Sequence, residues 1–584
     1  MVGDTNGLER WLGARLLRHD ERPVPLDEGV ITGDGRHRFI DGLSGIETTT
    51  PGYVRRVPTG KGSSQEIVIP LVRKLVADGQ QVIVFRQQVG ETRGCAEYLA
   101  NALGLAEAKD AIERLPRGDQ SMSSTVLRQV LGGGVAFHNS HLSPEERRIV
   151  EEEFRAVDSD IKVIVATTTL AMGVNTPASS VVVVGLQHPG DAPYSIAEYK
   201  NLVGRAGRLG FSEHGASYLV AMTGNDEHHY WRQYVLGRPE ALRSRFLDKG
   251  TDPRSLVIRM LASSKRVAPR GLTAENIAAF LERSFGGFQE REKLGDAWCW
   301  SRRDLARALA DLVRHGLVTD EGEDRHQLTE LGVLAGETGL EVASVIRLVD
   351  ALRPVRADDI SDPVLIAAVQ HTVELDGVNV PINKKTQKEA QTWLGVLREQ
   401  GIVEAVLRCF GFEAREPYEQ GARAKRAVAA LAYIGGQEMT DIEAMLQKHG
   451  GGFGGSAGPI RGISARTCDV VGTAARIAEI LHPGLDLAYR SERLKIRLNL
   501  GIPGPATDLG REAGQELTRG NYLALTRTDL TSSERIMMAS DIEILSCVDE
   551  SPERLVVVRK AAAAMQTRSK VRDDSAPYLA PYAA

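Results

Sequence analysis

Five short runs rich in valine and isoleucine recur between residues 81 and 222, and they constrain the fold more than any other feature. They are QVIVF (81–85), GVAFH (134–138), KVIVAT (162–167), SVVVVG (180–185) and ASYLVAM (216–222). Each is continuous rather than alternating, the pattern of a strand buried on both faces in a parallel sheet. Between them lie the amphipathic stretches ETRGCAEYLANAL (91–103), SPEERRIVEEEFRAV (143–157) and SIAEYKNLVGRAGRLG (195–210). The second opens with Ser143 as N-cap, Pro144 at the first helical position and Glu146 three residues after the cap, a capping box. Strands alternating with helices predict a doubly wound α/β domain beginning near residue 65.

At 584 residues the chain is too long for one core, so three or four domains are expected. A net charge of -5 and a pI near 6.3 exclude a wholesale basic nucleic-acid binder and leave room for a local basic groove. From about 240 the β signal fades. SRRDLARALADLVRHGLV (301–318) places Leu305, Leu309 and Leu312 on one helical stripe. HQLTELG (326–332) follows a polar turn, so helix, turn and short ribbon predict a winged helix. Residues 356–535 read as mostly helical around HGGGFGGSAGPIRG (449–462), and the last stretch, from Arg568, reads as a frayed tail. Candidate helices in the helical region are 425–446 and 463–481, and the basic run Arg490, Arg493, Lys495 and Arg497 is a candidate for phosphate contacts.

Cys95, Cys299, Cys409, Cys468 and Cys547 are scattered with no C-x-x-C pair. That argues against a disulfide framework or zinc module and for a reducing cytoplasm. His228 and His229 are adjacent and point apart, so no metal site is expected. No apolar run approaches the roughly 18 residues of a membrane span, and no membrane partner is expected.

Two blocks carry chemistry: VATTTLAMGVNTPA (165–178), directly after a strand, and NLVGRAGRLG (201–210), on the helix after the next strand. Arg205 and Arg208, three apart on a helix, project to one side. Two permanently charged forks suit a polyphosphate, and they suit the charge of a transferring phosphoryl group. Gly204 and Gly207 leave room for a facing backbone or ligand. Thr167, Thr168 and Thr169 end a strand, where α/β sheets hold their ligands. Either block alone reads equally well as a solvated helix or a glycine turn; their order and placement make the pair specific.

Together the blocks resemble motifs V and VI of superfamily 2 helicases of the Ski-like group, most closely the HelQ-type DNA-repair helicases. VIVFRQQVGETRGCAEYLA (82–100) resembles motif IV, and VAFHNSHLSPEERRIVEEEF (135–154) resembles motif IVa with His138 at its usual histidine. WLGARLLRHDERPVPLDEGVI (11–31) is similar to the connector between the two motor domains, and RLKIRLNLGIPGPATDLGREAG (493–514) to an accessory domain. The resemblance implies a connector over 1–64, a second RecA-like domain over 65–235, a winged helix over 236–355, a helical ratchet-like domain over 356–535 and a C-terminal extension over 536–584. It implies that Arg205 and Arg208 are arginine fingers, and that Gly173, Asn175, Asn201 and Gly204 lie near the nucleotide. It implies that Arg86, His138, Thr167 and Thr168 face the sugar-phosphate backbone of a single strand. Asn201 stands where the family usually has Gln, one methylene longer. The span GLQHPGDAPYS (185–195) is compact where the family places its strand-separating hairpin.

A complete motor also needs a phosphate loop and a carboxylate pair for magnesium. PTGKGSSQE (58–66) holds the chain's one Gly-Lys dipeptide, but Arg55 and Gly62 occupy the positions that G-x-x-x-x-G-K-[ST] reserves for Gly and Ser or Thr. The stretch reads as a linker. DEHH (226–229) follows motif VI instead of preceding motif IV, and Asp549-Glu550 has no phosphate loop to serve, so both read as surface acids. The expectation is the C-terminal part of an ATP-dependent helicase or translocase acting on single-stranded or partly duplex nucleic acid, DNA rather than RNA. ATP and Mg2+ would be bound mainly by a first RecA-like domain on a partner chain or lost by truncation, and the isolated chain would be inactive. The competing expectation is a non-catalytic nucleic-acid-binding scaffold. A third is a stand-alone P-loop enzyme using Lys61.

Overall fold

The structure, a computed structural model, describes residues 3–19, 22–58, 62–156, 158–171, 178–188, 192–207, 213–248, 250–295, 298–322, 324–383, 388–412, 414, 416–447 and 455–579. The chain divides into two compact units, Met1–Leu115 with Met122–Arg243, and Pro116–Ser121 with Ser244–Ala584.

The first unit is built on an eight-stranded sheet in the order β3-β2-β1-β8-β7-β4-β6-β5. Its strands are β1 (Leu26–Thr32), β2 (His37–Ile40), β3 (Glu47–Thr50), β4 (Val82–Phe85), β5 (Val135–His138), β6 (Val163–Ala166), β7 (Ser180–Val183) and β8 (Gly215–Ala221). β1 and β4–β8 run parallel, and β2 and β3 add an antiparallel flank drawn from the stretch expected to be a connector. Every residue of β4, β5, β6 and β7 is buried, which is why their sequences are uniformly apolar. Helices cover the sheet: Gln65–Ala77 buries Ile67, Val68, Leu71, Val72 and Leu75, and Pro144–Arg155 buries Ile149, Val150 and Phe154. The capping box is formed, with Ser143 Oγ accepting from Glu146 N–H at 3.1 Å and Glu146 accepting from Ser143 N–H at 2.6 Å.

One helix is shorter than its sequence predicts. Among the described residues of the stretch 195–210, the helix runs over Ile196–Val203. The chain must leave the helix there because Gly207, at φ +63, packs onto Gly215, where an added Cβ would fall 2.8 Å from the Gly215 Cα. Arg205 therefore lies past the end of the helix, and Arg208 lies outside the described residues.

In the second unit, β9 (Leu272–Thr273), β10 (Val318–Asp320) and β11 (Arg325–Leu328) form an antiparallel ribbon in the order β10-β11-β9. With the helices Ala274–Arg283 and Arg302–Arg314 they make a winged helix, and the stripe Leu305, Leu309 and Leu312 is buried as its periodicity requires. The rest is helical. The expected helix 425–446 is two, Pro417–Ile434 and Met439–Gln447, broken at Gly435 and at Gly436 with φ +84. The glycine-rich stretch is outside the described residues over 448–454, and its end opens the helix Ala457–Leu481. The final helix, Pro552–Leu579, runs into the segment expected to fray, consistent with its run of strong helix formers, AAAAMQ. Three of the four residues of the basic run, on the helix Ala488–Leu500, are paired internally: Arg490 and Arg497 with Asp362 at 2.6 and 3.1 Å, and Arg493 with Asp508 at 2.5 Å. Among the described residues no helix is long and apolar enough to cross a membrane.

Candidate nucleic-acid and nucleotide sites

β4, β6 and β5 lie side by side with level carboxyl ends, since Phe85 and His138 both pair with Ala166. The residues that follow emerge together. Arg86 N–H donates to the Ala166 carbonyl at 2.9 Å and Thr167 N–H to the His138 carbonyl at 3.3 Å, extending the ladder one residue past the strands. Arg86, His138, Thr167 and Thr168, expected to meet one nucleic-acid backbone, thus share one edge of the sheet.

Their surroundings differ. The Arg86 side chain is 16% exposed and donates to Ser64 Oγ at 3.2 Å, with the Glu91 carboxylate 3.7 Å away. Its Nε is buried without a hydrogen-bond partner. Glu91 also accepts from the N–H groups of Gln87 and Gln88 at 3.2 and 3.3 Å, closing the capping box of the helix Val89–Leu103. A carboxylate shared with two backbone donors neutralises the guanidinium only in part, which suits a phosphate contact. His138 is 2% exposed and its Nε2 lies 2.8 Å from Glu151. In the neutral form, a proton held on Nε2 leaves Nδ1 as an acceptor, and an acceptor repels a phosphate oxygen. Thr167 is buried and Thr168, opening a short 3-10 turn over Thr168–Ala171, is half-buried.

The second block lies at the opposite edge. The helix Ile196–Val203 runs back from the carboxyl side of the sheet, held by Lys200 Nζ bonding the Glu28 carboxylate at 2.7 Å and the Val235 carbonyl at 2.8 Å. Burial pushes the Glu28 carboxyl upward, with the Lys200 ammonium opposing it. At the amino ends of β7 and β8 the chain turns: Ala178 N–H donates to the Arg205 carbonyl at 3.3 Å and Gly207 N–H to the Ala178 carbonyl at 2.9 Å. Arg22 donates to the carbonyls of Gly204, Ala206 and Gly207, capping the negative end of the helix. Arg205 is buried at 8% exposure, Asn201 is exposed and Gly204 is the C-cap of the helix, with right-handed backbone. Gly173, Asn175 and Arg208 lie outside the described residues, as do Gly60 and Lys61. Four-residue strands set the two edges roughly 13 Å apart.

Four contributors escaped the sequence reading: Ser64 and Glu91 beside Arg86, Glu151 beside His138, and Arg22 under the glycine turn. Ser64 lies in the Gly-Lys stretch itself, whose sequence reads as a linker. The others carry no local signal, because their partners are remote or one turn away on another element. At the amino edge Arg205 has the charge that pairs with phosphate oxygens, while the Arg22 donors and the Ala178 and Gly207 N–H groups already bond backbone carbonyls; among the described residues there the set holds no carboxylate pair suited to magnesium.

Residues 66–210 match the helicase conserved C-terminal domain. The chain is 32% identical over 371 residues to the ATP-dependent DNA helicase Hel308 of Pyrobaculum calidifontis, covering 60% of this chain and 48% of that protein. It is 25% identical over 582 residues to the Hel308 of Caldivirga maquilingensis, covering 95% of this chain and 72% of the relative. With the Hel308 of Thermoplasma acidophilum it shares 28% identity over 352 residues, 60% of this chain and 46% of that protein. The matched segment thus spans about half the length of two of these three relatives. Residues 66–210 thus carry a helicase conserved C-terminal domain on a mostly parallel sheet, and the chain is similar to Hel308 DNA helicases through the winged helix and the helical region that follow.

Proposed function

We propose that this chain is the second motor half and accessory region of an ATP-dependent DNA helicase or translocase. The carboxyl edge of its sheet tracks a single strand, and the amino edge presents arginines to ATP. The observation that carries the reading is the separation of Arg86, Thr167 and Thr168 on one edge from the Arg205 turn on the other, since a motor must hold two ligands at once. Arg205 and Arg208 would meet the nucleotide's phosphates, with Gly173, Asn175, Asn201 and Gly204 around them. ATP and Mg2+ supply the phosphoryl chemistry when bound. No G-x-x-x-x-G-K-[ST] pattern occurs in the 584 residues, so the phosphate cradle belongs to a first RecA-like domain supplied by other residues.

The test separates the edges. Arg86→Ala should weaken binding of the chain to fluorescent single-stranded DNA and reduce the salt slope by about one. Arg205→Ala should leave that binding intact and abolish DNA-stimulated ATP hydrolysis once a Walker A domain of a relative is added. Unchanged turnover in Arg205→Ala removes Arg205 from the finger role, and no DNA-stimulated turnover with the wild-type chain sinks the motor reading. A nucleic-acid-binding scaffold is the second reading, and the burial of Arg205 favours it; absence of wild-type turnover would select it.

A further inference from the structure

At the carboxyl end of the ladder between β4 and β7, a side chain takes over from the backbone. Val184 N–H donates to the Phe85 carbonyl at 3.0 Å. In a parallel ladder the next rung would give Gln87 N–H to the Val184 carbonyl and Leu186 N–H to the Gln87 carbonyl. Gln87 N–H goes instead to the Glu91 carboxylate at 3.2 Å, and Gly185, at φ +91, turns the chain off the strand. Leu186 N–H and Gln187 N–H then donate to the side-chain carboxamide oxygen of Gln87, at 3.1 and 3.0 Å. The fit is close: a Cβ on Gly185 would fall 2.3 Å from that carboxamide, so conformation and space both demand glycine there.

The segment that Gln87 grips is one leg of a narrow antiparallel stem. Tyr194 N–H donates to the Leu186 carbonyl at 2.9 Å, His188 N–H to the Ala192 carbonyl at 2.7 Å, and Gln187 pairs with Pro193. The outgoing leg is anchored by its own neighbours. Tyr194 is buried, its carbonyl accepts from the Tyr234 hydroxyl at 2.9 Å, and the His188 ring meets the Tyr194 ring edge-on at 4.5 Å. His188 Nε2 lies 3.2 Å from Glu198, which also closes the capping box of the helix Ile196–Val203. The incoming leg is held through Gln87, the residue after Arg86.

We propose that Gln87 is a positioning residue: its carboxamide fixes the stem 186–194 beside Arg86, so that the stem bounds the track on which a single strand runs. The proposal rests on the reading of the carboxyl edge as that track. β7 lies beside β4 on the side away from β6, so a strand passing Thr167 and then Arg86 comes next to the stem. A single strand can bend around such an obstacle, whereas duplex DNA is stiff over so short a length. The stem therefore sets how closely a duplex approaches the phosphate held by Arg86. Two hydrogen bonds and one peptide link separate Arg86 from the stem, too short a connection for either to shift alone.

Hydrogen–deuterium exchange and DNA binding of the purified chain test it together. Gln87→Met keeps the side-chain length and removes the acceptor, so exchange at Leu186 and Gln187 should speed about tenfold. The same variant should bind plain single-stranded DNA within about twofold of wild type, yet lose about fivefold in affinity for a forked duplex relative to that strand. Gln87→Glu keeps an oxygen at the same place and should restore both the protection and the ratio. Wild-type exchange at 186–187 in Gln87→Met overturns the clamp. Faster exchange with an unaltered fork-to-strand ratio overturns the positioning role and leaves a purely structural bond. A wild-type chain that binds neither DNA overturns the single-strand reading and the positioning role with it; exchange measured without DNA tells that failure from failure of the clamp. If Gln87→Met does not fold, Gly185→Ala, which drives a Cβ into the carboxamide, should lower the same ratio, and an unaltered ratio there overturns the proposal.

Discussion

His138 Nε2 and Glu151 Oε1 lie 2.8 Å apart at the end of β5, with the imidazole 2% exposed. The carboxylate, two turns into the helix Pro144–Arg155, completes a buried pair that belongs more to the packing of the sheet edge than to its surface. Glu151→Ala strands Nε2 without a partner and should lower stability by about 1–3 kcal/mol, seen as a reduced urea midpoint at unchanged slope. Glu151→Gln keeps an acceptor and should recover most of the loss. A Glu151→Ala midpoint equal to wild type would show that the pair contributes nothing.

The turn after Val203 makes a sharper demand. Gly207 combines φ +63 with a 2.8 Å approach to the Gly215 Cα, so Gly207→Ala meets backbone strain and a clash together. The expected loss is about 3 kcal/mol by chemical denaturation. Gly215→Ala meets the clash without the left-handed strain and should cost less. The reverse ranking would place the strain elsewhere.

In the helical region, Asp376 accepts from Arg347, Arg423 and Arg426 at 3.0, 3.3 and 3.3 Å. Those guanidiniums also hold the carbonyls of His371, Phe410, Phe412 and Gln370, tying together several helix ends. Arg423 and Arg426 are 2% and 4% exposed while Asp376 is 36% exposed. Asp376→Asn should therefore cost on the order of 2–4 kcal/mol, less than a fully buried pair would, because solvent screens the carboxylate. Equilibrium urea unfolding reads this directly, and a loss below about 0.5 kcal/mol would contradict it.

Acid should destabilise the first unit through His37. Its ring stacks on Phe39 at 4.6 Å and lies 5.0 and 4.7 Å from Tyr53 and Tyr218. Burial lowers its pKa from 6.5 to about 4. The unfolded chain then binds the proton more tightly than the folded one, so stability is complete above about pH 6.5 and falls towards pH 4, by on the order of 3 kcal/mol. His371 in the second unit shifts in the same direction, to about 3, so the wild-type slope carries both groups. His37→Phe should remove one share of it, and parallel stability–pH curves for variant and wild type would refute the assignment.

Legibility in the sequence followed the range of the forces involved. β4, β5, β6 and β7 are readable because burial on both faces demands apolar residues at every position, whatever the neighbours. The cap at Ser143 is readable because donor and acceptor lie three residues apart. The end of the helix at Val203 is not, because the glycine contact that stops it exists only once β8 has paired beside β7. Nor is the neutralisation of Arg490 and Arg497, whose partner Asp362 lies 128 and 135 residues away along the chain.

By itself, then, the sequence determined the parallel sheet, its family motifs and the failure of Gly60-Lys61 to complete a phosphate loop, all set by residue type and short spacing. The tertiary structure decided that Arg86 and Arg205 stand on opposite edges and that His138 is buried against Glu151. Each of these depends on which distant backbone groups meet when the strands align and the glycines close, and no local pattern of side chains encodes that meeting.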